Sequence, residues 1–134
     1  MKTAERSMLI IEDNASFRET FIDVMQLRGI DIRGAARGAD GLGALQRMQP
    51  SVIVLDVQLP DVNGIDLCRL LRSKEAFKST PIVLLSASTQ YNDARDRAEG
   101  LQAGATLFLS KSMAIDKILA EIDKLFQGRG PCAN

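Results

Sequence analysis

Short apolar runs alternate with longer amphipathic segments along the whole chain, and this alternation restricts the fold more than any other feature. The first run covers residues 8–11 and closes on Glu12, Asp13 and Asn14. Residues 15–28 then carry Phe17, Phe21, Val24 and Met25 at helical spacing, and Gly29 follows as a C-terminal stop. Residues 30–36 alternate instead, with Ile30 and Ile32 separated by Asp31 and followed by Arg33, the pattern of a half-exposed edge strand. Residues 40–48 set Leu42, Leu45 and Met48 on one helical face, weakened by Gly41 and Gly43. Three further apolar runs occupy 52–55, 82–85 and 106–109. The helical segments after them are 65–72, with Ile65, Cys68 and Leu71 inward, then a charged stretch at 91–101 closed by Gly104, and last 115–126. That last segment bears a single stripe of Ile115, Ile118, Leu119, Ile122, Leu125 and Phe126.

A strand-helix pair repeated five times, with continuous apolar strands, predicts a parallel sheet covered by helices on both faces. Right-handed crossovers restrict the topology, and the half-polar second strand belongs at an edge. The expected fold is therefore α/β, a doubly wound (βα)5 flavodoxin-like sheet in the order 2-1-3-4-5. A chain of 134 residues fits one such domain, expected over 7–127, with 128–134 as a loose tail.

Several function classes are excluded at once. The chain contains no histidine, so Ser-His-Asp and Cys-His catalysis and His-ligated metals are out. Cys68 and Cys132 form no close-spaced metal or redox motif and read as reduced thiols. Seventeen basic and seventeen acidic residues cancel, leaving no overall field to draw the domain onto nucleic acid or an anionic membrane. No apolar run approaches the ~18 residues that span a bilayer. The first seven residues are charged, without a signal-peptide core behind them, so a cytoplasmic location is expected.

In a sheet of this order the functional site lies at the C-terminal strand ends, where strands one and three diverge. There the first strand ends in Glu12 and Asp13, the third in Asp56, the fourth in Ser86 and the fifth near Lys111. Each has an ordinary reading by itself: Asp13 or Asn14 as a helix cap, Asp56 as a turn residue before Pro60, Lys111 as a solvated charge, Phe108 as core. Their joint placement on one rim is what calls for a chemical explanation. Crowded carboxylates raise one another's pKa values or bind a cation, and a hard divalent ion such as Mg²⁺ suits oxygen ligands. Carboxylates, a metal, a hydroxyl and an ammonium together are equipped to receive a phosphoryl group.

At residues 8–14, 52–64, 82–87 and 104–111 the sequence resembles the four signature segments of response regulator receiver domains, in order and at matching spacing. The resemblance implies that Asp56 is the phosphoacceptor. It makes Asp13 a direct metal ligand, Glu12 a ligand through water and the main-chain carbonyl of Gln58 the third protein ligand for Mg²⁺ or Mn²⁺. Ser86 matches the switch hydroxyl, Phe108 the switch aromatic and Lys111 the phosphate-binding lysine. Pro60, Asn63 and Gly64 match the loop after the phosphoacceptor strand. The implied donor is a phosphohistidine on a sensor histidine kinase or a histidine phosphotransfer protein, which places the missing histidine on the partner. The implied output is a changed protein-binding surface around the fourth helix, fifth strand and fifth helix. A phosphorylation-dependent homodimer there is expected by the same analogy, with no direct nucleic-acid or membrane contact by this chain.

The sequence departs from the family pattern in places. Ser112 follows Lys111 where the family usually has proline, commonly cis, so a trans bond and a displaced Lys111 are expected. The stretch from Ser86 to Gly104 is a few residues longer than usual, which should alter the shape of residues 88–92. Ser88 and Gln58 stand at positions that tune phosphate lifetime in the family, and both are uncharged. Two alternatives compete with phosphorylation. One is a degenerate receiver that binds proteins without phosphoryl chemistry. The other is a Mg²⁺-dependent aspartyl phosphatase, opposed by Gln58 where that chemistry normally places a second aspartate. A nucleotide-binding flavodoxin-like protein is opposed by the absence of a Gly-rich loop after the first strand.

Overall fold

The computed structural model describes residues 6–87 and 90–129, the side chains of 90–93 and 127–129 excepted. Each apolar run forms a strand: β1 Ser7–Ile11, β2 Asp31–Ala35, β3 Val52–Asp56, β4 Ile82–Ser86 and β5 Leu107–Ser110. All neighbours pair in parallel and the order is β2-β1-β3-β4-β5, as the polarity of the second run predicts. The helices between and after them are α1 Ala15–Leu27, α2 Gly38–Leu45, α3 Gly64–Arg72, α4 Gln90–Gln102 and α5 Ile115–Arg129. A 3-10 turn at Glu75–Phe77 leads into β4. No helix among the described residues is long and apolar enough to cross a membrane.

Successive strand residues point to opposite faces, and the core divides accordingly. Leu9, Ile11, Ile53, Leu55, Ile82 and Leu84 meet Leu45 of α2 and Ile65, Leu67, Cys68 and Leu71 of α3. Met8, Ile10, Val52, Val54, Val83 and Leu85 meet Phe21 and Met25 of α1 and Ile118, Leu119 and Ile122 of α5. On the edge strand Gly34 permits close packing of α1, since a Cβ there would stand 2.8 Å from Ile22 Cδ1. Gly29, at φ 80°, reverses the chain after α1.

Two helices differ from the sequence expectation by more than one residue. α2 starts at Gly38 and ends at Leu45, against the expected 40–48. Its start is set from outside: the Asp61 carboxylate, in the loop after β3, accepts the N–H groups of Gly38 (2.8 Å) and Ala39 (3.0 Å). These are orphan donors that Arg37 does not cap with its side chain. At the other end of the chain α5 continues through Gly128 and Arg129, past the domain boundary expected at Gln127. One glycine in a last helical turn costs little once the apolar stripe through Phe126 is buried. The rest of the expected tail, 130–134, lies outside the described residues, as does Ser88.

Candidate functional site

The C-terminal ends of β1 and β3 lie side by side, and a carboxylate closes each of them. Glu12 follows β1 and is 0 % exposed; Asp56 ends β3 and is 3 % exposed; Asp13 next to Glu12 is exposed. One oxygen from each of Glu12, Asp13 and Asp56 falls within 4.8 Å of the others. Lys111, just beyond β5, reaches across two strand ends to this cluster. Its Nζ donates to Glu12 Oε2 (2.9 Å) and Asp56 Oδ2 (3.0 Å), and stands 2.7 Å from Glu12 Oε1 outside hydrogen-bonding geometry.

The two buried acids, Glu12 and Asp56, are further fixed by neighbouring groups. Asn14 N–H donates to Glu12 Oε2 (3.0 Å), and Arg18 Nη1 donates to the Glu12 carbonyl (2.6 Å). The Gln58 N–H donates to Asp56 Oδ1 (3.1 Å). The loop from Val57 to Asn63 closes on itself through Gly64 N–H to the Val57 carbonyl (2.7 Å) and a bridge between Gln58 and Asn63. Asn63 then caps α3, accepting the Ile65 N–H at 2.8 Å. Gly64 is required by packing, because a Cβ there would lie 2.1 Å from the Asp56 carbonyl oxygen.

Burial governs the electrostatics. Desolvation pushes the Glu12 carboxyl above its ordinary value, outweighing the bonds from Lys111 and Asn14 that favour its charge, and the nearby Asp56 adds to the rise. Burial alone would lower Lys111, but its bonds to Glu12 and Asp56 prevail and raise it. Lys111 is thus a firmly held cation opposite an acid that is reluctant to ionise. The site residues also fit a hard cation. Three carboxylates converge, and their oxygens are the donor type that such an ion takes.

The other sequence-derived positions sit around this cluster. Ser86 ends β4, is buried, and its carbonyl accepts the Lys111 N–H (2.8 Å). Phe108 is not in the cluster. It lies 3 % exposed in the core beneath α3 and α4, with the Arg97 guanidinium 5.4 Å from its ring centroid. Gly100 of α4 makes room for it, since a Cβ there would approach Phe108 to 3.0 Å. No peptide bond among the described residues is cis, so Lys111–Ser112 is trans. The displacement of Lys111 expected from Ser112 does not follow: Ser110 Oγ accepts the Ser112 N–H (3.1 Å), and the Lys111 side chain reaches both acids.

Two residues at the site escaped the sequence reading. Phe17, assigned to the core stripe of α1, is only half-buried and lies with its ring 5.4 Å from Lys111 Nζ. Arg18 holds the end of β1 through the Glu12 carbonyl. The available signal was their place in the first turn of α1, one turn beyond Glu12 and Asp13.

Comparison with known proteins places the chain in a family. The sequence profile of the response regulator receiver domain matches residues 8–123. The chain is 36% identical over 127 residues to the transcriptional regulatory protein GltR of Pseudomonas aeruginosa, covering 95% of this chain and 51% of that one. It is 34% identical over 122 residues to the DNA-binding response regulator MtrA of Mycobacterium tuberculosis, covering 91% of this chain and 51% of the other. The chain therefore spans about half the length of these curated relatives. The structure of the chemotaxis response regulator CheY4 of Vibrio cholerae superposes with a TM-score of 0.82 at 27% identity, over 90% of this chain and 98% of that one. Strand order and sequence agree, and the chain belongs to the response regulator receiver domain family.

Proposed function

We propose that this receiver domain takes a phosphoryl group from a partner's phosphohistidine onto Asp56 and thereby switches a protein-binding surface. The observation that carries the reading is the convergence of buried Asp56 with Glu12, Asp13 and Lys111 at one strand-end rim. In the transfer an Asp56 carboxylate oxygen bonds to phosphorus as the phosphorus–nitrogen bond to the partner's imidazole breaks, and the electron pair leaves with that nitrogen. Glu12, Asp13, Asp56 and the Gln58 carbonyl would hold Mg²⁺ or Mn²⁺, which supplies charge neutralisation at the phosphoryl oxygens when bound. Lys111 adds a second positive group, already aimed at Asp56 Oδ2. The Gln58 N–H holds Asp56 Oδ1 and so orients the attacking carboxylate. The chain promotes its own modification and acts on no separate substrate.

Ser86 would then bond the phosphoryl group, and Phe108, packed beneath α4, would move toward the space it leaves. That rearrangement alters the face formed by α4, β5 and α5 for a downstream protein or a second copy of the chain. Its extent is limited by how much more strongly the phosphoryl group binds the active arrangement than the resting one.

The test is intact-mass spectrometry after incubation with acetyl phosphate, with and without Mg²⁺, on wild type and Asp56→Asn. One added phosphoryl group that requires Mg²⁺ and is lost in the variant is the expected result. Modification that persists in Asp56→Asn would refute the assignment of Asp56. No modification by acetyl phosphate or by a histidine phosphotransfer donor would favour a receiver without phosphoryl chemistry.

A further inference from the structure

Among the described residues the Lys111 ammonium lies against two carboxylates and a third, different group. The third is the face of Phe17, at a distance where a cation is attracted by the ring quadrupole. The ring is not free to drift. Behind it Phe21 stacks at 6.2 Å between centroids and is fully buried. Its backbone is pinned as well, because Phe17 N–H donates to Asn14 Oδ1 (2.9 Å). Asn14 N–H in turn donates to Glu12 Oε2 (3.0 Å), the same oxygen that accepts from Lys111 Nζ (2.9 Å). Lys111, Glu12, Asn14 and Phe17 therefore close a ring of contacts around one ammonium group.

The two kinds of neighbour differ in what competes for them. Glu12 and Asp56 are also the groups that a divalent cation and a phosphoryl group would engage. Phe17 has no lone pair to offer either. We propose that Phe17 is a positioning residue for Lys111: its ring face retains the ammonium at the rim when the carboxylates are engaged elsewhere, so that Lys111 stays directed at the group on Asp56. The proposal rests on Asp56 being a phosphoacceptor, and it assigns a role to an aromatic side chain that periodicity places in the core stripe.

The experiment compares wild type, Phe17→Leu and Phe17→Tyr, each as the full chain. Leucine keeps apolar packing against Phe21 and removes the ring; tyrosine keeps the ring. The first readout is the ¹H–¹³C spectrum of protein labelled at the lysine ε-carbon, with the Lys111 signal assigned by its loss in Lys111→Met. The Lys111 ε-protons should be shifted upfield by the ring in wild type and Phe17→Tyr, with and without Mg²⁺, and return to the ordinary lysine position in Phe17→Leu. The second readout is the rate of acetyl phosphate modification in Mg²⁺. Phe17→Leu should be slower by about fivefold, the equivalent of ~1 kcal/mol, with Phe17→Tyr close to wild type. A Phe17→Leu rate equal to wild type overturns the proposal. So does a Phe17→Tyr rate as low as that of Phe17→Leu, or an upfield shift that Mg²⁺ abolishes in wild type. If wild type itself is not modified by any donor, the phosphoacceptor reading fails and the positioning role falls with it, an outcome distinct from the other three.

Discussion

Replacing Lys111 with methionine should destabilise the protein by an amount that grows with pH. In the wild type the ammonium lies within 3.0 Å of oxygens on both Glu12 and Asp56, and Glu12 is fully buried. Methionine preserves most of the side-chain volume but leaves the acids facing one another. Breaking a buried ion pair by removing one partner costs about 3–5 kcal/mol when the orphaned charge must stay charged. Here it need not, because Glu12 can bind a proton, and burial already pushes its pKa upward. Holding Glu12 neutral at pH 7, against an ordinary value of 4.5 in the unfolded chain, costs about 3.4 kcal/mol at 1.36 kcal/mol per unit. That figure caps the loss.

The sign follows from proton binding. The folded variant holds a proton on Glu12 that the unfolded variant releases above its ordinary value. The stabilising contribution is therefore full below pH 4.5 and declines as pH rises, by about 1.4 kcal/mol per unit up to the raised folded pKa. For 134 residues 1 kcal/mol corresponds to roughly 3.6 °C in Tm, so the deficit at pH 7 should not exceed about 12 °C. The assay is urea unfolding of wild type and Lys111→Met from pH 5 to 7.5, with EDTA and then with Mg²⁺. Mg²⁺ at ten times its Kd adds about 1.4 kcal/mol by mass action. The variant should bind Mg²⁺ more tightly than wild type, since no ammonium competes for Glu12 and Asp56, and should recover more stability. A wild-type-to-variant difference that stays flat across the pH range, or Mg²⁺ stabilisation equal in both proteins, would refute the reasoning.

Other perturbations have equally definite outcomes. Gly64→Ala should lower Tm by about 10 °C, from about 3 kcal/mol of overlap with the Asp56 carbonyl, whereas Gly43→Ala, with nothing within 4 Å, should raise stability by about 0.5–1 kcal/mol; differential scanning calorimetry separates them. Arg72→Met should cost about 2–3 kcal/mol in urea unfolding by stranding the Gly104, Phe77 and Thr80 carbonyls, while the folded fraction is phosphorylated at the wild-type rate, because Arg72 sits at the strand ends opposite the acidic rim. Asp61→Ala should be less stable than wild type at neutral pH. The N–H groups of Ala39 and Gly38 hold Asp61 below its ordinary 3.8, so that deficit should vanish as pH falls through its lowered folded pKa, which unfolding curves between pH 2 and 7 would show.

The fold and the heart of the site were legible because both are written at short range. Apolar runs bounded by helical segments set five strand-helix units, and Asp31 and Arg33 marked the edge strand. A residue that closes an apolar run must lie at a strand's C-terminal end, so Glu12, Asp56, Ser86 and Lys111 could be assigned to one rim from position alone. Tertiary structure decided what depends on partners remote in sequence. The start of α2 is set by Asp61, 23 residues beyond Gly38, and no periodicity within 38–48 encodes that cap. Phe17 and Lys111 meet only because β1 and β5 deliver their ends to the same rim, so the aromatic looked like any other member of an apolar stripe. The reluctance of Glu12 to ionise likewise comes from burial, a property of the assembled sheet and helices that the identity of the residue does not carry. Local pattern thus determined which groups reach the rim, and packing determined how each of them is held, charged and aimed.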